Sequence, residues 1–207
     1  VMFPIFDLQS RVVGFGGRIL PEAAQRQVAE GHREPAKYVN SPETRVFSKS
    51  DHLYGLNLVR DATQRPNELA VVEGYTDVVA AWQAGLENAV AVLGTALNER
   101  HLRLMKRFVW RVVLVLDGDE AGRRRANETL ELFIAADLDL RVLTLPDNLD
   151  PADYLERHSV HDFQRLVAAA ADAVDHKLSV ELSGVDVQQD THRAAVALEN
   201  VLQTIAR

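Results

Sequence analysis

Between Glu68 and Leu145 the chain alternates between two hydrophobic patterns. Short, nearly continuous apolar runs, ELAVVE (68–73), AVAVL (89–93), VVLVL (112–116) and LRVLTL (140–145), read as strands covered on both faces. The segments between them carry apolar residues at helical spacing. TDVVAAWQAG (76–85) is expected to be a helix that stops at Gly85, and NERHLRLMKRF (98–108) a helix that Asn98 caps. EAGRRRANETLELFIAA (120–136) reads as a longer helix. Regular strand–helix alternation predicts an α/β fold, with a central parallel sheet flanked by helices.

The flanking regions follow other rules. MFPIF and RVVGFGGRIL, separated by the polar DLQS, read as short strands of a different unit, crowded by Gly14, Gly16 and Gly17. Residues 21–52 are polar and turn-rich with few apolar anchors, and are expected to form a long loop. LYGLNLVRDA (53–62) has Leu53, Leu56 and Val59 at helical spacing. After LPDNLDPADYL the chain is expected to be helical to its end. Phe163, Leu166, Val167, Ala170, Val174 and Leu178, then Ala194, Leu198, Val201 and Ile205, form amphipathic stripes. His158 and His161 are expected to end one helix and start the next rather than to bind metal.

Composition narrows the possible functions. The chain has 207 residues, 47% hydrophobic and 26% charged, ordinary for a globular protein. Its formal charge of −7 argues against a simple electrostatic DNA binder, although cations held in an acidic site would recover part of that deficit. The absence of cysteine excludes disulfides and cysteine-ligated zinc in this chain and fits a reducing compartment. No apolar run approaches a membrane span, and no signal peptide is visible. The apolar start VMFPIF and the uncapped end NVLQTIAR suggest an excised piece of a longer protein.

The candidate chemistry lies where strands end. In an open α/β sheet, ligands bind outside the carboxyl ends of the strands. Glu73 ends one strand, with Asp77 in the first turn of the next helix; Asp117-Gly118-Asp119 ends another; Asp147, Asp150 and Asp153 follow the last. Asp117 and Asp119 point to the same side of an extended segment, and Gly118 leaves the approach open. Carboxylates converging on one point repel unless a hard cation sits among them, and Mg²⁺ takes such oxygen ligands together with substrate phosphates. Taken singly, Asp77 reads equally as a helix-start charge and Glu73 as an acid paired to an arginine. Arg123 to Arg125 spread over roughly 200° of a helix, so they cannot form one clamp.

In the order VVEGYTDVVA, LGTALNERH, VVLVLDGDEAG and LPDNLDPADYL, these residues resemble the TOPRIM domain of bacterial primases, topoisomerases and some nucleases. Upstream, FPIFD, RVVGFGGR, KYVNSPET and FSKSDHLYGL are similar to the catalytic core of DnaG-type replicative primases, so the resemblance covers about residues 2–158. It implies three parts. Residues 1–67 would be the C-terminal part of a mixed N-terminal subdomain, 68–158 the TOPRIM domain, and 159–207 a helical bundle.

The resemblance also implies a site and a function. Glu73 and Asp117 would be catalytic; Glu73, Asp77, Asp117, Asp119, Asp150 and Asp153 would hold Mg²⁺, with Mn²⁺ able to substitute. Ala152 stands where the family usually has a second Asp, leaving Asp153 as the candidate replacement. Arg18, Lys37, Tyr38, Asn40 and Lys49 match the nucleotide- and template-binding face. The implied enzyme is a monomeric DNA-directed RNA polymerase core. It would make short RNA primers on single-stranded DNA from ribonucleoside triphosphates, in the cytoplasm at the replication fork. Zinc and the replicative helicase would bind flanking domains absent from this chain. The alternatives are another TOPRIM enzyme, a topoisomerase or nuclease, or a non-catalytic nucleotide- or alarmone-binding module.

Overall fold

The computed structural model describes residues 1–62, 66–116, 129–130, 132–133 and 138–206, with the side chain of Asn148 left out. Asp117, Asp119, Arg123 to Arg125 and most of the helix expected at 120–136 lie outside the described residues.

The N-terminal pattern forms a hairpin. β1 (Met2–Phe6) and β2 (Val12–Arg18) pair antiparallel around the polar turn, where Asp7 accepts the amides of Gln9 and Arg11. The expectation of a long loop over 21–52 is corrected here. α1 (Pro21–Ala29) is a helix with a proline at its start and no buried residue. It depends on helix-forming residues such as Glu22, Ala23, Ala24 and Gln25 rather than on an apolar stripe, so periodicity could not reveal it. β3 (Tyr38–Asn40) is only three residues long and joins the hairpin by pairing with β2.

The central sheet runs β5–β4–β6–β7–β8. β4 (Glu68–Val72), β5 (Ala89–Ala91), β6 (Arg111–Leu116) and β7 (Asp139–Thr144) are parallel, as the alternation predicts. β8 (Ala171–Asp172) adds an antiparallel edge that the sequence pattern did not indicate. Alternate residues of one strand feed two cores. Leu69, Val71, Val112 and Leu114 face one; Ala70, Val72, Val113 and Val115 face the other. Burial on both faces explains the unbroken apolar runs.

Helices cover both faces. α2 (Leu56–Asp61) begins later than LYGLNLVRDA suggests, after Gly55. α3 (Tyr75–Gln83) ends near Gly85, whose φ of +91° is a left-handed conformation that favours glycine. In α4 (Glu99–Met105) the Asn98 side chain accepts the amides of Arg100 and His101, the expected cap. α5 (Pro151–Arg157) and α6 (Val160–Ala168) are separated at His158 and Ser159, as expected. α7 (Ala173–Glu181) and α8 (Thr191–Ile205) complete the C-terminal helices.

A third, smaller core joins the hairpin to the sheet. It holds Ile5, Phe47, Tyr75 and Leu93. Tyr54 reinforces the junction by exchanging both backbone hydrogen bonds with Ala91, at 2.8 and 3.0 Å.

Candidate active site

The strand order places a crevice where the acids are. From β4 the chain crosses to β5 on one side, whereas β6 and β7 lie on the other. Adjacent strands therefore feed connections in opposite directions beyond β4 and β6, the usual position of a ligand crevice. Val71 is in register with Leu114, so Glu73 comes level with the end of β6. Asp117 is the next residue in sequence after β6.

A cleft of about 290 Å³ lies there, lined by Lys37, Tyr38, Asn40, Glu73, Asp77 and Asp150 among others. One wall is carboxylate, from the ends of β4 and β7. The other is cationic, aromatic and amide, from β3. The pairing of β2 with β3 builds that second wall. Arg18 is directly opposite Tyr38 and Gly16 opposite Asn40. The Arg18 guanidinium lies 5.4 Å from the Tyr38 ring centre, and the Lys37 ammonium 5.8 Å. Both cations therefore stack on the Tyr38 ring, but only Lys37 lines the cleft itself.

Hydrogen bonds fix the two walls to each other. The Asn40 amide donates to the Leu93 carbonyl at 2.8 Å, and the Tyr38 hydroxyl meets Thr76 Oγ1 at 3.3 Å. Tyr75 fills the space between them. It is 4% exposed, and contacts the rings of Phe3, Tyr38 and Tyr54. Gly16 is required by this ring, because a Cβ there would come within 2.6 Å of it. The glycine-rich strand is thus a seat for an aromatic side chain. Burial, aided by the neighbouring Tyr54 and Tyr38 hydroxyls, pushes the Tyr75 phenol up to about 12, so it stays protonated at neutral pH.

The acids differ in their surroundings. Asp77 is buried and accepts the Gly74 amide at 2.9 Å, so it also stabilises the start of α3. Asp150 borders the cleft and caps α5 by accepting the Asp153 amide at 2.7 Å. Asp153 is exposed and does not line the cleft. Among the described residues no three metal-binding side chains close on one point. Of the expected ligand set, Glu73, Asp77 and Asp150 line the cleft, Asp153 does not, and Asp117 and Asp119 lie outside the described residues. All of these donors are carboxylate oxygens, which suits a hard divalent cation.

Lys49 is not in the cleft. It lies on a loop against α4, beside a shallow hollow lined by Ser48, Ser50, Arg100 and Arg103. The residues that sequence reasoning missed are Tyr75 and His101. Both occupy core positions with polar atoms. In the buried set His101, Leu102 and Met105 a histidine interrupts an otherwise apolar face, which was the available signal.

Comparison with known proteins identifies the family. Residues 1–60 match the family model described as DNA primase catalytic core, N-terminal domain, and residues 70–155 match a Toprim-like model. The DNA primase of Synechococcus elongatus is 38% identical over 213 residues, covering 100% of this chain and 29% of that protein. The solved Escherichia coli primase catalytic core is 32% identical with a TM-score of 0.78, over 99% of this chain and 69% of that one. A DnaG primase catalytic domain bound to single-stranded DNA is 34% identical with a TM-score of 0.80, over 99% of this chain and 64% of that one. The chain spans about three-tenths of the length of the curated relatives it matches. With residues 1–60 and 70–155 matched in order and 99% of the chain superposing on such a core, the chain belongs to the catalytic-core family of bacterial DnaG-type DNA primases.

Proposed function

We propose that this chain is the polymerising core of an enzyme that makes short RNA primers on single-stranded DNA, in the cytoplasm at the replication fork. Residues 1–67 supply the nucleotide- and template-facing wall, 68–158 the acidic TOPRIM site, and 159–207 a helical subdomain. The observation that carries the reading is the cleft itself, with Glu73, Asp77 and Asp150 facing Lys37, Tyr38 and Asn40. The single-stranded DNA in the related complex supports the same substrate here.

Glu73, Asp77, Asp117, Asp119 and Asp150 would hold Mg²⁺, or Mn²⁺ in its place. A bound ion there would neutralise the triphosphate and align attacking and leaving oxygens. The chain's own contribution is positioning and electrostatics. Lys37 and Arg18 present fixed cations for phosphate, while the Tyr38 ring offers a face for a base. Glu73, at the end of a rigid buried strand, serves as a ligand or as the acceptor of the 3′-hydroxyl proton. Lys49 contacts the template backbone outside the cleft. The core acts as a monomer, with zinc and the replicative helicase engaging flanking domains.

A topoisomerase needs an accessible tyrosine nucleophile. Tyr75 is buried and held protonated, Tyr154 is buried against His158 and Phe163, burial also raises the Tyr54 phenol, and Tyr38, which does line the cleft, has its hydroxyl on Thr76 Oγ1 and its ring beside Arg18 and Lys37. Primer synthesis tests the proposal, on single-stranded DNA with ribonucleoside triphosphates and Mg²⁺ and with the flanking domains present. Glu73→Ala should abolish synthesis and leave the circular-dichroism spectrum unchanged. Near-normal synthesis by that variant would sink the assignment, and plasmid nicking without ribonucleotide incorporation would favour a nuclease.

A further inference from the structure

Of the buried polar side chains among the described residues, His101 is the one with no exposed surface. It sits on the core face of α4, where an apolar residue would pack without a polar atom to satisfy. Its Nε2 lies 3.0 Å from the Lys49 carbonyl oxygen, across 52 residues of chain. That oxygen can only accept, so Nε2 carries the hydrogen. Nδ1 makes no hydrogen bond of good geometry among the described residues, although the His52 backbone lies close enough to act on the ring.

The other backbone group of Lys49 is also held. Its amide donates to Glu43 Oε1 at 3.0 Å. The same loop is tied at the surface, where Arg100 Nη1 bonds both Asp51 oxygens at 2.9 and 3.0 Å. Exposed pairs of that kind restrain a loop weakly. The His101 bond is inside the protein, where competition from water is removed. With its N–H and C=O both fixed, the Lys49 Cα–Cβ direction is set before any ligand arrives.

We propose that His101 is a positioning residue, whose buried Nε2–H acts with Glu43 to fix both backbone groups of Lys49 and so aims that ammonium at a phosphate of the template strand. This rests on the reading of Lys49 as a template contact. A simple packing role for His101 makes different predictions.

The test is a double-mutant cycle on the whole chain, using a fluorescein-labelled single-stranded DNA oligonucleotide, anisotropy, several salt concentrations, and thermal melts for each variant. K49A should weaken binding several-fold and reduce the slope of log affinity against log salt by about 0.7, the loss of one phosphate contact on a single strand. H101L should reproduce both changes, and the double variant should be no worse than K49A. H101Q, whose amide nitrogen reaches the same carbonyl, should recover most of the loss. Should H101L not fold, E43A carries the test, because it must weaken binding when Lys49 is present and not when it is alanine. If H101L binds with the wild-type slope, if its effect adds to that of K49A, or if E43A changes nothing, the proposal is overturned while the template reading stands. If K49A itself binds like the wild type, the reading of Lys49 fails and the proposal with it.

Discussion

At the scale of single residues, the site depends on close approaches that the sequence only partly disclosed. Three glycines in one strand signalled crowding but not what caused it. Tyr75 comes from a distant segment, and no local pattern pairs it with Gly16. Gly16→Ala should force that ring to move and cost roughly 1–3 kcal/mol, the usual penalty for overpacking. Thermal or denaturant unfolding would show it as a clear loss of stability, and an unchanged midpoint would mean that the seat is looser than it looks. The acids after the last strand divide similarly. Asp150 borders the cleft and Asp153 is exposed. Asp150→Ala should therefore reduce primer synthesis by tenfold or more, about 1.4 kcal/mol of transition-state stabilisation. Asp153→Ala should leave the rate within about threefold, each read as kcat/KM. The reverse order would make Asp153 the substitute for the acid that Ala152 replaces.

At the scale of elements, long periodic segments were legible and short or solvent-exposed ones were not. β4 and β6 were readable because both faces are buried; β3 and β8 are too short to carry a pattern, and α1 has no buried face. The role of α4 was half legible, since Asn98 announced the cap while His101 looked like one more helical residue. That histidine makes α4 sensitive to pH. Burial pushes its pKa below the ordinary range, against the opposite pull of the Lys49 and His52 backbones and the Asp51 carboxylate. The unfolded chain therefore binds a proton that the folded chain refuses. Stability should be full above about pH 6.5 and fall as pH drops from there toward the depressed folded value. Denaturant unfolding at pH 7.5, 6.5 and 5.5 tests this, with His101→Gln expected to lose less over that range than the wild type. Equal losses in both proteins would remove His101 from the account.

At the scale of the whole molecule, the parallel sheet separates chemistry from support. The carboxylates that line the cleft, Glu73, Asp77 and Asp150, lie beyond its carboxyl ends. At the opposite end Asp139 accepts from both Arg111 and Arg141, at 2.7 and 3.0 Å, with Glu68 3.9 Å from Arg111. These charges are partly exposed, so Asp139→Ala should cost only about 1 kcal/mol, and kcat/KM for primer synthesis should not change. A large kinetic effect would mean that the two ends are coupled. The overall division was readable because strand–helix alternation implies a parallel sheet, and a parallel sheet implies where ligands bind. The residues of the wall opposite the acids were legible only through the family resemblance, because Tyr38 and Asn40 reach the sheet domain by tertiary contacts to Thr76 and Leu93 that no local pattern encodes. The most direct measurement of the central claim is anomalous diffraction from crystals soaked with Mn²⁺ and a ribonucleoside triphosphate. The account predicts metal density among Glu73, Asp117, Asp119 and Asp150, with the phosphates toward Lys37 and Arg18. Metal and nucleotide bound together elsewhere, with none beyond the carboxyl ends of β4 and β6, would contradict it.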